Sequence, residues 1–300
     1  MTEPLPAAGA HGGDGPRIAR ALGIPAGEVL DLSQTLNPFA PDVARLLGRH
    51  LDAVGHYPDD AAATELLAET MGVDPGRLVL TNGGSEAIAL VAGELGGRIA
   101  AEPEFGLHPR DSDGPIWRSD PQSPTGHLAT PDLEAAVWDE AFYPMATGRW
   151  TAARPGVTVG SLTKLFACPG LRLGFVIADD VAALTRRRPH WSVGSLALAV
   201  LPELLAAADL PAWQAAIADA RSALASALEA RGFEVAAHDA PWVLVEAPGL
   251  RERLAPHGIV VRDCASFGLP GQVRIAVPDE AGLARLLAAI DQQGGSGDDR

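Results

Sequence analysis

Lysine is almost absent from this 300-residue chain: of 23 basic residues, one is lysine, Lys164, and the others are arginine. Cysteine is nearly as scarce, with only Cys168 and Cys264, far apart in sequence. Two such cysteines make no disulfide framework, and the expected setting is a reducing cytoplasm. No apolar run reaches membrane length; the longest, from Leu196 to Leu210, is broken by Pro202 and Glu203. The opening MTEPLPAAGAHGGDG lacks a basic stretch and an apolar one, so no secretory signal is expected. Net positive charge is missing too. At −15 the chain repels phosphates overall, and neither nucleic acid nor membrane is an expected partner. A local cationic pocket for a small phosphorylated ligand stays open. There is no internal repeat and no zinc-ligand spacing, so no metal is expected.

What remains is an ordinary globular composition, 47% hydrophobic and 20% charged, ample for one large and one smaller core. Richness in Ala, Gly, Pro and Arg points to a G- and C-biased coding sequence, which explains why lysine is rare. It does not explain why one survives at position 164. Arginine serves as well for charge and phosphate contact, but only lysine readily deprotonates and condenses with a carbonyl.

Residues 1–30 read as an N-terminal arm, followed by a short strand ending at Asp31-Leu-Ser. Arg77-Leu-Val-Leu, Thr81-Asn-Gly-Gly-Ser-Glu and Ala87-Ile-Ala-Leu-Val-Ala form a strand, glycine turn and helix. Further buried strands fit Arg98 to Ala101, Ala135 to Trp138, Val157 to Val159 and Gly174 to Ala178. Short apolar strands interleaved with helices predict an α/β domain with a mostly parallel sheet over 31–185. After Arg186-Arg-Arg-Pro a smaller α+β unit is expected over 186–292. It comprises a long helix from Pro211 to Arg231, strands at Trp242 to Glu246, Ile259 to Arg262 and Val273 to Val277, and helices at Gly249 to Pro256 and Asp279 to Asp291. Residues 293–300, polar and glycine-rich, are expected to be a disordered tail.

The strongest signal is Ser161-Leu-Thr163-Lys164, followed by Cys-Pro-Gly-Leu-Arg172-Leu-Gly. It resembles the lysine motif of fold-type I, pyridoxal-phosphate-dependent aminotransferases of class I and II. The resemblance implies that the Lys164 amine takes the cofactor aldehyde, while Ser161, Thr163 and Arg172 hold its phosphate. The implied fold is a large cofactor-binding domain, its sheet flanked by helices, plus a small α+β domain. Gly83-Gly84-Ser85-Glu86 resembles the phosphate cup, in which the amides of Gly84 and Ser85 meet the phosphate at a helix N-terminus. Trp138-Asp139-Glu-Ala-Phe142 resembles the aspartate motif, with Asp139 pairing the pyridine nitrogen. Asp120-Pro-Gln-Ser123-Pro-Thr-Gly resembles the segment whose second asparagine bonds the ring oxygen; here Ser123 offers a shorter hydroxyl. Phe142 stands where a tyrosine is frequent. Glu102-Pro-Glu-Phe-Gly-Leu-His108 resembles the segment that lays an aromatic over the ring, which implies stacking by His108. His56-Tyr57-Pro-Asp resembles the segment in which a tyrosine reaches the neighbouring subunit's cofactor phosphate, implying a homodimer.

Two more patches resemble cobalamin-pathway L-threonine-O-3-phosphate decarboxylases. They are Ala10-His11-Gly-Gly-Asp with Asp31-Leu-Ser-Gln-Thr-Leu-Asn37-Pro, and Gly258-Ile-Val-Val-Arg262-Asp-Cys-Ala-Ser-Phe-Gly-Leu. By that resemblance His11, Asn37 and Arg262 surround a substrate phosphate and Arg274 grips the α-carboxylate. The expected reaction is decarboxylation of an amino-acid phosphate. The alternatives are transamination onto a 2-oxo acid, as in histidinol-phosphate aminotransferases, and a non-catalytic protein that only binds the cofactor. The chain is short for the family: the intervals from His108 to Pro121 and from Gly126 to Asp139 leave little room for a strand and helix. A shortened large domain is therefore expected.

Overall fold

The computed structural model describes residues 5–294. In chain order the strands begin with β1 (Leu30–Leu32), β2 (Leu78–Asn82), β3 (Arg98–Ile99), β4 (Ile116–Ser119) and β5 (Val137–Asp139). They continue with β6 (Val157–Ser161), β7 (Leu173–Ile177), β8 (Glu234–Ala237), β9 (Trp242–Glu246), β10 (Ile259–Asp263) and β11 (Gln272–Ala276). The first helices are α1 (Gly15–Leu22), α2 (Val43–Leu47), α3 (Ala61–Met71), α4 (Gly83–Leu95), α5 (Tyr143–Thr147) and α6 (Leu162–Leu165). The others are α7 (Ala182–Arg187), α8 (Ser195–Ala206), α9 (Leu210–Glu229), α10 (Leu250–Leu254) and α11 (Glu280–Gly294). No single helix among the described residues is long and apolar enough to cross a membrane.

A six-stranded sheet has the order β2-β7-β6-β5-β4-β3. From β6 outward to β3 the neighbours are parallel, and β7 lies antiparallel between β6 and β2. Alternation along β7 fixes its two faces. Leu173, Phe175 and Ile177 join the core under α3 and α8, whereas Val176 joins Trp117 and Val159 under α4 and α7. The connections 100–115 and 120–136 carry no helix, although each links parallel neighbours, and β3 is a two-residue edge.

The second sheet has the order β1-β10-β11-β9-β8. Val243, Val245, Ile259, Val261, Val273 and Ile275 face its own core against α10, α11 and the C-terminal half of α9. Period-two alternation then turns Arg262 and Arg274 to the opposite face, where they are register partners across β10 and β11. The two units do not follow the expected division at 31 and 185. Strand β1 pairs with β10 in the second sheet, because Leu32 packs into that core. Helix α8 and the start of α9, through Ile217, pack on the first sheet, because their leucines cover β2 and β7. Pro202, which breaks the apolar run in sequence, lies inside α8. Residues 293 and 294, expected in a disordered tail, belong to α11; the rest of that expected tail, 295–300, lies outside the described residues.

Candidate functional site

A cavity of about 280 Å³ opens between the two sheets, where β4, β5 and β6 end. Carboxyl ends of parallel strands are the usual ligand position in open α/β sheets. Lys164 stands in α6, one turn beyond β6, with its side chain in the cavity. Its amine is held below the usual lysine range by burial first, then by the charges of Arg274 and Arg172, with Asp139 opposing. A lysine treated this way spends more time as a neutral nucleophile near neutral pH.

One end of the cavity is a cradle for an anion. Asn82 ends β2 and precedes α4 without a side-chain cap, so the first amides of that 13-residue helix are free to donate. Gly83 takes φ +73°, and a Cβ there meets the Arg172 Cζ at 2.7 Å. A Cβ on Gly174 meets the Gly83 carbonyl oxygen at 2.7 Å, so this corner tolerates only glycine. Arg172 itself sits in the left-handed region at φ 56° and donates to the carbonyls of Asn82 and Pro169, each at 3.3 Å. Ser161 Oγ and Thr163 Oγ1 lie 2.8 Å apart beside it. Backbone amides, two hydroxyls and a guanidinium converging on one corner suit a phosphate group.

Asp139 closes β5 and lines the cavity. Its Oδ1 accepts the Ala141 amide at 3.0 Å and its Oδ2 lies 3.1 Å from His108 Nε2. Lysine, cradle and aspartate fit pyridoxal phosphate: an amine for the aldehyde, donors for the phosphate and a carboxyl for the pyridine nitrogen. Across the cavity, Arg274 is 7% exposed and donates only to Ser123 Oγ, at 3.4 Å, among the contacts of the described residues. Trp242 and Phe267 stack near its guanidinium. Burial lowers its pKa to about 10. A buried cation without a carboxylate partner is costly unless a ligand supplies one.

Gly84, Ser85, Ser123, Asp139, Ser161, Thr163, Lys164, Arg172, His11, Arg262 and Arg274 therefore meet around one cavity. Three expected residues do not. His108 is fully withdrawn behind Asp139, and the aromatic of this segment that lines the cavity is Phe105, which meets His108 edge-on. Asn37 points away: its Nδ2 donates to the Leu165 carbonyl and its Oδ1 accepts the Phe39 amide, both at 3.0 Å. Asn37 thus braces the lysine helix and is not among the residues that line the cavity. Tyr57 is 80% exposed, against Trp191 and away from this chain's own cavity. Arg262 lines the cavity, yet its Nη atoms donate to the carbonyls of Gly9 and Ala10, at 2.6 Å each, and to Ser266 Oγ. It ties down the arm that carries His11. Burial first, then Arg262 and Lys164, lower the His11 pKa.

Thr35 was not singled out from sequence. It is 2% exposed and lines the cavity, and its Oγ1 has no hydrogen-bond partner among the described residues. A buried orphan hydroxyl at a cavity wall is a ligand contact in waiting. Its only sequence signal is a polar residue inside the segment that also supplies Ser33 and Asn37.

The family model described as aminotransferase class I and II matches residues 119–290. The threonine-phosphate decarboxylase of Salmonella typhimurium is 30% identical, over 94% of this chain and 95% of that protein. Histidinol-phosphate aminotransferase 1 of Dechloromonas aromatica is 25% identical, over 92% of each. Among solved structures, the L-threonine-O-3-phosphate decarboxylase of Porphyromonas gingivalis superposes with a TM-score of 0.75 at 21% identity, covering 89% of this chain and all of that one. The histidinol-phosphate aminotransferase of Sinorhizobium meliloti, in complex with pyridoxal-5'-phosphate, gives 0.78 at 15% identity over 94% of each chain. These last two likenesses concern the fold.

Proposed function

This chain belongs to the aminotransferase class I and II family of pyridoxal-phosphate-dependent enzymes, and from that premise we propose that it decarboxylates an amino-acid phosphate of the O-phospho-L-threonine type. The observation that carries this reading is a second cationic wall, opposite the phosphate cradle. Arg262 and Arg274 face each other across β10 and β11 with His11 beside them. Like charges directly opposed in a sheet destabilise it, so their persistence at one cavity argues for a ligand with two anionic ends.

Bound pyridoxal phosphate supplies an aldehyde and an electron-withdrawing ring. Every further duty falls to side chains. Gly84, Ser85, Ser161, Thr163 and Arg172 would hold the cofactor phosphate, Phe105 would line the ring's side of the cavity and Asp139 would pair with the pyridine nitrogen. Lys164 would hold the cofactor by its aldehyde, and its Nζ would move a proton at the substrate's α-carbon. Arg274 orients the α-carboxylate, which decides whether the carboxylate or the hydrogen is aligned for cleavage. His11, on an arm fastened by Arg262, and Thr35, just beyond β1, meet the substrate phosphate. Transamination is the second reading, favoured by the likeness to histidinol-phosphate aminotransferases.

We also read the protein as a cytoplasmic homodimer serving cobalamin biosynthesis, with no nucleic-acid or membrane partner. Support for the dimer comes from an exposed apolar group, Leu51, Val54, Tyr57 and Trp191. Tyr57 then reaches the neighbouring subunit's site.

The deciding experiment adds O-phospho-L-threonine to the cofactor-loaded protein without a 2-oxo acid, while CO₂ is trapped. Repeated CO₂ release supports decarboxylation. A single conversion of the cofactor to its amine form, without CO₂, supports transamination. Absence of both refutes the substrate assignment.

A further inference from the structure

Glu104 lies within the Glu102–His108 segment without a role assigned to it there, yet it joins three walls of the cavity. It is 5% exposed, and the contacts its carboxyl group makes are with donors. Oε1 accepts the Ser119 amide at 3.0 Å, while Oε2 accepts the Ser119 hydroxyl at 2.6 Å and the Phe105 amide at 3.1 Å. Ser119 Oγ in turn accepts the amide of the cavity residue Ser123 at 2.9 Å. The same Oε2 lies 3.4 Å from His108 Nδ1, at ion-pair distance. His108, fully buried, therefore has a carboxyl oxygen at each ring nitrogen: Asp139 at 3.1 Å and Glu104 at 3.4 Å.

A neutral imidazole donates from one nitrogen and presents a lone pair at the other. Either neutral tautomer would point that lone pair at a carboxyl oxygen in a dry site. Nδ1 has no hydrogen-bond partner among the described residues, so Glu104 acts on it by charge, and a carboxylate oxygen 3.4 Å away favours the imidazolium. We propose that Glu104 is a positioning residue: its carboxylate beside Nδ1 holds His108 doubly protonated, so that Nε2–H locks the Asp139 carboxyl in the orientation it presents to the cavity. This inference rests on the reading of Asp139 as the partner of the cofactor's pyridine nitrogen. The charge arithmetic is favourable too. A cation beside Asp139 alone would cancel the negative field there, and the second carboxyl restores one net negative charge to the group.

The surroundings of the imidazole agree. Burial by itself lowers the pKa of His108, but hydrogen bonding to Asp139 and Glu104, with their charges, outweighs it and raises the value to about 9. Of the other charged groups in this loop, Arg110 donates from Nη1 to the His108 carbonyl at 2.8 Å rather than to the ring, Glu102 pairs with Arg110, and Asp111 accepts the Gly97 amide. Phe105 and Trp117, both uncharged, complete the ring's contacts. Lys164 lies beyond Asp139 and is coupled to it.

The test is the pH titration of ¹⁵N-histidine signals in the cofactor-loaded protein, with the His108 signal assigned by its loss in His108→Gln. In the unaltered protein both ring nitrogens stay in the imidazolium range until well above neutral pH. Glu104→Gln keeps the shape and one acceptor for Ser119 but removes the charge, and it brings the midpoint down by about one to two pH units. The pH dependence of the bound cofactor's visible band shifts along with it, a change that mere loosening of the loop does not produce. An unaltered protein in which His108 titrates near the usual histidine value overturns the proposal, even if Glu104→Gln does not fold. So does a variant with an unchanged midpoint. Cofactor attachment at Lys164, read as a mass increase after borohydride reduction, is scored separately. Its absence overturns the functional reading, and the His108 titration remains readable in the same sample.

Discussion

Gly83→Ala separates the cofactor cradle from the stability of the fold. Gly83 opens α4 at φ +73°, where an L side chain costs about 1–2 kcal/mol. Its new Cβ meets the tip of Arg172, with Cζ at 2.7 Å, and that end of a flexible side chain can swing away. Folding therefore suffers only the backbone cost, a fall in melting temperature of a few degrees. The cradle suffers more, because the guanidinium leaves the corner where the phosphate sits. A hydrogen bond to a charged group contributes about 1.5–3 kcal/mol, so cofactor affinity drops by about 10- to 150-fold. Gly174→Ala is the control with the opposite balance. Its Cβ meets backbone, the Gly83 oxygen and Gly84 nitrogen, both at 2.7 Å, which cannot swing aside. That variant loses stability and cofactor together. Fluorescence titration with pyridoxal phosphate and thermal melts of the cofactor-free proteins measure both quantities. If Gly83→Ala binds the cofactor as tightly as the parent, Arg172 and the α4 N-terminus do not form the phosphate site.

Other outcomes follow from the same geometry. Arg274→Met, which removes a buried cation lacking a carboxylate partner, raises the melting temperature of the ligand-free protein by the equivalent of about 1–3 kcal/mol. The same change raises KM for a carboxylate substrate by about 100-fold, since a charge-assisted pair is lost; a melt and a Michaelis curve check the two halves. His108 has a raised pKa, so its contribution to stability is complete below the usual 6.5 and is lost as the pH climbs to about 9. Melts across that window fall by no more than about 3 kcal/mol in the parent, and His108→Asn flattens the slope. Thr35→Val, isosteric and without the orphan hydroxyl, leaves melting unchanged or improved and weakens phosphorylated substrates by about 10-fold, as a competition assay with inorganic phosphate reads.

The chemistry was more legible in the sequence than the architecture around it. Lys164, Arg172, Ser161, Thr163 and the glycine turn lie within short segments, because one strand-to-helix junction must present all of its donors to a single phosphate. Spacing along the chain therefore reports geometry directly. The expected strands at Trp242 to Glu246 and Ile259 to Arg262 also stand out, since each is a short continuous apolar run, buried along nearly its whole length. Strand β4 was overlooked because Arg118 interrupts it, and only the structure shows that Arg118 donates outward, to the Glu134 carbonyl. The misassigned residues share one cause. His108 and Phe105 sit three apart in one loop, as do Asn37 and Thr35 two apart in another, and a loop has no period that says which side chain turns inward. The domain division failed for a related reason: β1 joins the second sheet through pairing with β10, a partner more than 200 residues away.

The short connections explain why this loop needs so much polar fastening. A parallel neighbour is ordinarily reached through a helix, whose apolar stripe anchors the crossover to the sheet. Residues 100–115 have no helix, so their anchoring must come from side chains. Arg110 provides it from within the loop, donating to the Glu102 carboxylate and to the carbonyls of Glu104, Phe105 and His108. Glu104 provides it toward the sheet through Ser119 at the end of β4. Trp117, fully buried, adds its indole N–H to the Gly96 carbonyl at 3.0 Å. A helix would fix the loop's ends but leave its interior free. This set of bonds fixes the interior residues themselves, and these include Phe105 at the cavity and His108 behind Asp139. The loop can therefore do without a helix and still hold this wall of the cavity, because the wall is positioned by hydrogen bonds inside the loop rather than by packing outside it.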